Sequence, residues 1–141
     1  MIFIASDHAA FPLKEFLKKQ LKNHHYEISD LGAFSEESVD YPDFAHPVAN
    51  AVEGGKASLG ILCCGSGNGV AITANKHQGI RAALCWLPEL ATLARAHNNA
   101  NILCMPGRFV SGEEAVEMTK AFLATPFDGG RHERRVGKMS C

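Results

Sequence analysis

"SLGILCCGSGNGVAITANK", residues 58–76, is the stretch on which the fold of this chain turns. Its first part, SLGILCC (58–64), is a short apolar run of the length of a buried strand. Its last part, SGNGVAITANK (66–76), opens a helix. Between them Gly65, Gly67 and Gly69 alternate with other residues. A strand that passes straight into a helix through such a loop is the repeating half of a parallel βαβ arrangement.

The flanking sequence repeats the pattern. IFIAS (2–6) reads as a buried strand, and FPLKEFLKKQLKN (11–23) as a helix with Phe16, Leu17 and Leu21 near one face. Pro12 suits its first turn. YEISDLG (26–32) reads as a second strand closing in Gly32, and SVDYPDFAHPVANAVEGG (38–55) as a loop entering a helix that Gly54-Gly55 stops. IRAALC (80–85) and NILCMP (101–106) read as the fourth and fifth strands, with a helix at 88–98 between them. SGEEAVEMTKAFLAT (111–125) reads as a helix led by Ser111 and early glutamates, a capping and dipole pattern. Five strands alternating with helices predict an open, doubly wound α/β domain whose parallel sheet is covered on both faces. Ligands of such sheets bind outside the carboxyl ends of the strands.

Length and composition fit one domain of 141 residues with 46% hydrophobic and 21% charged residues. A formal charge of −1 gives no general affinity for nucleic acid or membranes. The N-terminus MIFIASDHAA lacks the basic region of a secretory signal, and no apolar run approaches the ~20 residues of a membrane span. Five cysteines without a CxxC pair predict reduced thiols in a cytoplasmic protein. A basic C-terminal segment, about residues 127–141, carries RHERR (131–135) and too few apolar residues for a core element.

The strand ends supply the candidate chemistry. GSGNG is neither a Walker A loop nor GxGxxG, but its backbone N–H groups could hold a phosphate or a developing oxyanion. A thiol just ahead of a helix N-terminus is a candidate base or nucleophile, which singles out Cys64. Cys63 reads as a small buried hydrophobe, and Cys85, Cys104 and Cys141 as core or tail residues. Asp7 and His8 after strand one could transfer protons, bind sugar hydroxyls or grip a phosphate; Asp7 could equally cap a helix. His97 could move protons or sit against the helix dipole. Arg131 and Arg135, four apart, could clamp a phosphate or form a solvated basic face. His24, His25, His46 and His77 read as surface or packing residues. Cysteine and histidine spacing matches no structural zinc site, so no metal is expected.

These residues together resemble the type B ribose-5-phosphate isomerase family, which includes galactose-6-phosphate isomerase subunits and allose-6-phosphate isomerases. SDHAAFPLK, DYPDFA, GILCCGSGNGVAITANK, GIRAAL, AHNNANIL, GR (107–108) and GGRHERRV occur in family order from about residue 2 to 136. The resemblance implies a three-layer αβα Rossmann-like sandwich with a five-stranded parallel sheet. It implies a homodimer or dimer of dimers with shared sites, and a metal-free, cofactor-free aldose–ketose isomerisation of a phosphorylated pentose through a cis-enediolate. It assigns Cys64 as the base moving a proton between C1 and C2. It gives the enediolate to the N–H groups of Gly65, Ser66, Gly67, Asn68 and Gly69. It assigns ring opening to Asp7 and His97, the phosphate to His8, Arg131 and Arg135 with Arg108 beside them, and the sugar pocket to Tyr41 and Asn98. One branch of the family places a glutamate base after the loop; here that position is Val70, which cannot take a proton, so the cysteine branch is the better match. A six-carbon sugar-phosphate isomerase, a non-catalytic sugar-phosphate or nucleotide-binding module, and a redox-sensing cysteine protein are the rival readings.

Overall fold

The computed structural model describes residues 1–55 and 57–141. In chain order the elements are β1 (Ile2–Ser6), α1 (Phe11–Lys22), β2 (Ile28–Asp30), α2 (Pro42–Gly54), β3 (Leu59–Cys64), α3 (Asn68–Ala74), β4 (Ala82–Leu84), α4 (Pro88–Asn98), β5 (Ile102–Pro106), α5 (Gly112–Ala124) and α6 (Arg131–Gly137). The five strands form one all-parallel sheet in the order β2-β1-β3-β5-β4.

That order fixes which face each helix covers. Crossovers between parallel strands are right-handed, so steps in opposite directions along the sheet put their helices on opposite faces. The steps β1→β2 and β4→β5 run one way, and β2→β3 and β3→β4 run the other. Accordingly α1, α4 and α5 pack with Ile4, Ile61, Cys63, Leu103 and Met105 on one face. On the other, α2 and α3 pack with Ala5, Leu62, Cys64, Ile102 and Cys104. The result is three layers, αβα. No helix among the described residues is long and apolar enough to cross a membrane.

The same order creates two crevices. The chain leaves β1 toward one face and β3 toward the other, so their carboxyl ends diverge, which is where such sheets bind ligands. β3 and β5 diverge in the same way. The loop after β3 therefore lies between two openings.

Several elements are shorter than the sequence suggests. β2 and β4 are the edge strands, each with a ladder on one side only, and three residues of each pair. α3 begins at Asn68 because Gly67 stands before it with φ +77°, a left-handed turn that a side chain would strain. The basic tail does form a helix, α6, with no buried residue. Ser111 caps α5 as expected, its Oγ accepting from Glu114 N–H while Glu114 accepts from Ser111 N–H.

The apolar face of α1 contains a lysine. Lys14, Leu17 and Leu21 are its buried residues, with Phe16 only partly buried. Lys14 Nζ donates to Asp30 Oδ1 at 2.8 Å, to Asp30 Oδ2 at 2.9 Å and to the carbonyl of Ala33. Lys18 Nζ reaches the same carboxylate at 2.6 Å. Burial alone would raise the Asp30 pKa, but donation from Lys14, Lys18 and Gly32 N–H outweighs it and holds the carboxyl below its ordinary value. This ties α1 to the end of β2. Lys14→Ala leaves Asp30 and Ala33 O short of a buried donor and should cost about 3 to 5 kcal/mol, read from urea unfolding midpoints. A group whose folded pKa is depressed stabilises above its unfolded pKa. Wild-type stability should therefore fall as pH drops below about 4, and that acid loss should shrink in Lys14→Ala. An unchanged midpoint would remove Lys14 from the stability of the fold.

Candidate active site

Register places the candidate groups after β1, β3 and β5 side by side. Ser6 pairs with Cys63 and Cys64 with Pro106, and Asp7 N–H donates to Cys63 O at 3.2 Å. Side chains alternate along a strand, so the two adjacent cysteines face opposite layers. Cys63 lies in the α1/α5 core. Cys64 lies on the α2/α3 face beside the glycine loop, 4% exposed.

Their surroundings separate them chemically. Burial drives the Cys63 thiol far up, and Cys64 and Asp7 push the same way. Burial pushes Cys85 up to about 11 and raises Cys104 strongly as well. Those three are inert core thiols at neutral pH. Cys63 and Cys64 point apart, so as they stand they do not form a disulfide with each other.

The loop after Cys64 is stitched to the end of β5. Gly107 N–H donates to Cys64 O at 2.8 Å and Arg108 N–H to Gly65 O at 3.0 Å. At Gly67 a side chain would run into Leu84 and the Met105–Pro106 backbone. The Arg108 guanidinium lies over Gly65, where an added Cβ would come within 3.3 Å of it. The Tyr41 ring occupies the space a side chain at Gly69 would need. Asn68 N–H donates to Ser66 Oγ at 3.3 Å. Among the described residues, the N–H groups of Ser66, Gly67, Gly69 and Val70 meet no protein acceptor, as first-turn donors do unless capped. The loop is thus a set of free donors beside a thiol. Val70 itself is buried in the α2/α3 core.

Asp7 does two things. Its Oδ1 accepts from Ala10 N–H at 3.1 Å, the capping role. Among the described residues its second oxygen has no partner, and Asp7 retains 8% exposure. His8 Nδ1 accepts from Val39 N–H at 3.1 Å, so this ring is neutral and carries its proton on Nε2, free to donate. The same bond pins the segment that delivers Tyr41, the N-cap of α2. Nothing in the sequence marks Val39, because only its backbone acts.

The remaining candidates lie elsewhere. β5 runs from Ile102, opposite Gly60, to Pro106, opposite Cys64. Four residues of strand span about 13 Å. His97 and Asn98 precede Ile102, at the end of α4, and so lie at the amino ends of the strands, opposite the carboxyl end that carries Cys64. Asn98 borders a groove there of about 520 Å³ that also takes in Arg81, Val136 and Met139. α6, with Arg131 and Arg135, packs beside this end of α4: Asp128 N–H donates to Ala96 O at 2.9 Å and the His132 ring stacks on His97. The candidate residues of one chain thus fall into two groups, two candidate half-sites. Asp7, His8, Tyr41, Cys64, Gly65, Ser66, Gly67, Asn68, Gly69 and Arg108 make up one; His97, Asn98, Arg131 and Arg135 make up the other.

His97, Asp128 and His132 bring donor atoms within 4.8 Å of one another. An ion binds imidazole in the plane of the ring, and the two stacked rings are 9° from parallel. Their planes share no nearby point, so these donors do not converge on one ion as they stand.

A family model described as Ribose/Galactose Isomerase matches residues 2–139. The chain belongs to the ribose/galactose isomerase family. Within that family, ribose-5-phosphate isomerase B of Escherichia coli is 43% identical over 135 residues, 96% of this chain and 91% of its own. A crystal structure of a ribose 5-phosphate isomerase from Thermotoga maritima has a TM-score of 0.96 and 55% identity, covering 99% of this chain and 96% of that one. The Mycoplasma genitalium ribose-5-phosphate isomerase B, solved with bound ribulose-5-phosphate, has a TM-score of 0.94 and 45% identity, covering 98% and 92%.

Proposed function

We propose that this protein is a cytoplasmic type B ribose-5-phosphate isomerase that needs no metal, with each active site built from two copies of the chain. The observation that carries the reading is the position of Cys64, at a strand end in the switch-point crevice, directly against a loop of free N–H donors. Deprotonating a carbon next to a carbonyl creates an oxyanion as the base acts, so base and donors must be adjacent.

The roles are those that the family resemblance implies. Asp7 of one copy and His97 of the other open the furanose, taking the proton from the C1 hydroxyl and returning one to the ring oxygen. The Cys64 thiolate removes the C2 proton. The electron pair forms the enediolate, whose negative oxygen the N–H groups of residues 65–69 hold, with Ser66 beside them. A proton passes from O2 to O1, the thiol returns its proton to C1, and the ketose carbonyl forms at C2. His8 donates from Nε2 to the phosphate, joined by Arg131 and Arg135 of the second copy and by Arg108. Tyr41 and Asn98 line the sugar.

The need for two copies rests on the separation of the half-sites. Exposed Trp86, Leu87 and Phe109 beside Ser66 and Asn68 give a second copy an apolar surface to cover.

The test is isomerisation in EDTA with ribose 5-phosphate, allose 6-phosphate and galactose 6-phosphate as parallel substrates. Turnover of the pentose phosphate that survives chelation is the expected result. Turnover of a hexose phosphate alone would keep the mechanism and change the substrate. No turnover of any would leave a binding module.

A further inference from the structure

We propose that His132 is a positioning residue for ring opening: its imidazole, stacked face to face on His97, holds the His97 ring in the plane from which it transfers protons to and from the sugar ring. The proposal rests on the isomerase reading above and gives a role to a member of RHERR that the phosphate does not need.

The geometry is built by the sequence. Gly129 and Gly130 have φ of +70° and +57° with nothing within 4 Å of an added Cβ. Backbone conformation, not space, therefore selects glycine at both. Two such residues in succession turn the chain back, so that the first turn of α6 returns over the end of α4. Asp128 anchors the turn by donating its N–H to Ala96 O, and His132 N–H closes on Gly129 O at 3.1 Å. The rings of His97 and His132 then lie 4.1 Å apart between centroids and 9° from parallel. Asp128 Oδ2 stands 4.0 Å from His97 Nε2.

His97 needs such a support. Its side chain is 41% exposed at a helix end, with two free torsions and no core around it. A proton transfer depends on direction as well as distance, and small misplacements of a reacting group are costly. A flat neighbour on one ring face restricts the torsions, and a carboxylate near one nitrogen sets the rotation within that plane.

The charges around the pair suit a neutral His132. Partial burial of its ring lowers its pKa, and His97, Arg131 and Arg135 lower it further, while Asp128 opposes them. On α4, Arg95 is turned away, donating to Thr125 O, Asn99 Oδ1 and Ala100 O. An uncharged His132 leaves His97 free to carry a proton in the stack. Two protonated rings face to face would repel.

The experiment separates ring opening from proton transfer. Ribulose 5-phosphate has no furanose form, because its C5 hydroxyl carries the phosphate. Exchange of its C1 proton with deuterated water, followed by NMR, therefore reads the Cys64 step without ring opening. His132→Ala should lower kcat from ribose 5-phosphate about tenfold while leaving exchange within about twofold of wild type. His132→Phe, which keeps a flat ring on His97, should recover most of the lost rate. If His132→Ala lowers both rates together, the residue merely holds α6 and its arginines in place, and the proposal fails. It fails equally if neither rate moves, or if phenylalanine does not rescue. A wild type with neither isomerisation nor exchange overturns the isomerase reading itself, and this inference with it.

Discussion

Cys64→Ala lowers kcat for ribose 5-phosphate by about 10² to 10⁴, the usual worth of a positioned base. Nothing else on this face can replace the sulfur. Val70 takes no proton, and among the described residues of the loop no side chain is a carboxylate, imidazole or second thiol. Asp7 Oδ1 is occupied by Ala10 N–H, and the second oxygen is already committed to ring opening in the proposed mechanism. The adjacent thiol is the internal control. Cys63 is fully buried in the opposite layer, so Cys63→Ala should change stability but leave kcat near wild type. Steady-state kinetics in both directions would check the pair. A Cys64→Ala enzyme within about tenfold of wild type would take the base away from Cys64.

The fold was legible because each βα unit carried its own punctuation. Pro12 and Pro88 stand in first turns, Gly54-Gly55 close α2, and Ser111 with Glu114 cap α5. Layer assignment followed from strand order, which the sequence does not carry. The insertion of β5 between β3 and β4 decides which helices share a face, and no local pattern distinguishes it from a simple succession. The expected lengths of β2 and β4 were too long for a related reason. Apolar content extends beyond the three paired residues, but pairing at a sheet edge depends on the single neighbour. Lys14 shows the reverse case. Its spacing from Leu17 and Leu21 put it on the apolar face, yet a lysine there reads as solvent-facing until Asp30 and the Ala33 carbonyl are known to lie opposite.

The candidate site was legible in part for a similar reason. Residues at strand ends can be nominated from sequence, since parallel sheets gather their carboxyl ends. Asp7, Cys64, the glycine loop and Arg108 are indeed neighbours. Backbone partners and supports cannot be nominated: Val39 acts through its N–H, and Asp128 and His132 act on His97 only because two glycines fold α6 back. The sequence also places His97 and Cys64 in one list without revealing that the sheet separates them.

That separation gives the second large effect. Cys64→Ala and His97→Ala should each be nearly inactive alone, yet a mixture unfolded and refolded together should regain activity. If each site takes Cys64 from one copy and His97 from the other, a mixed dimer has one site with both residues intact and one with both replaced. Random pairing makes half of the dimers mixed, so about a quarter of wild-type activity should return. A site contained in one chain predicts no recovery, because every chain in the mixture lacks one of the two residues. The same experiment with Cys64→Ala and Asp7→Asn is the counterpart. Both residues belong to the half-site at the carboxyl ends of β1 and β3, so a mixed dimer would have no intact site and activity should stay at the level of the separate variants. Recovery in the first mixture and none in the second would follow from a sheet that keeps the two half-sites of one chain at opposite ends of its strands. Equal recovery in both, or in neither, would mean that the residues meet in some other way.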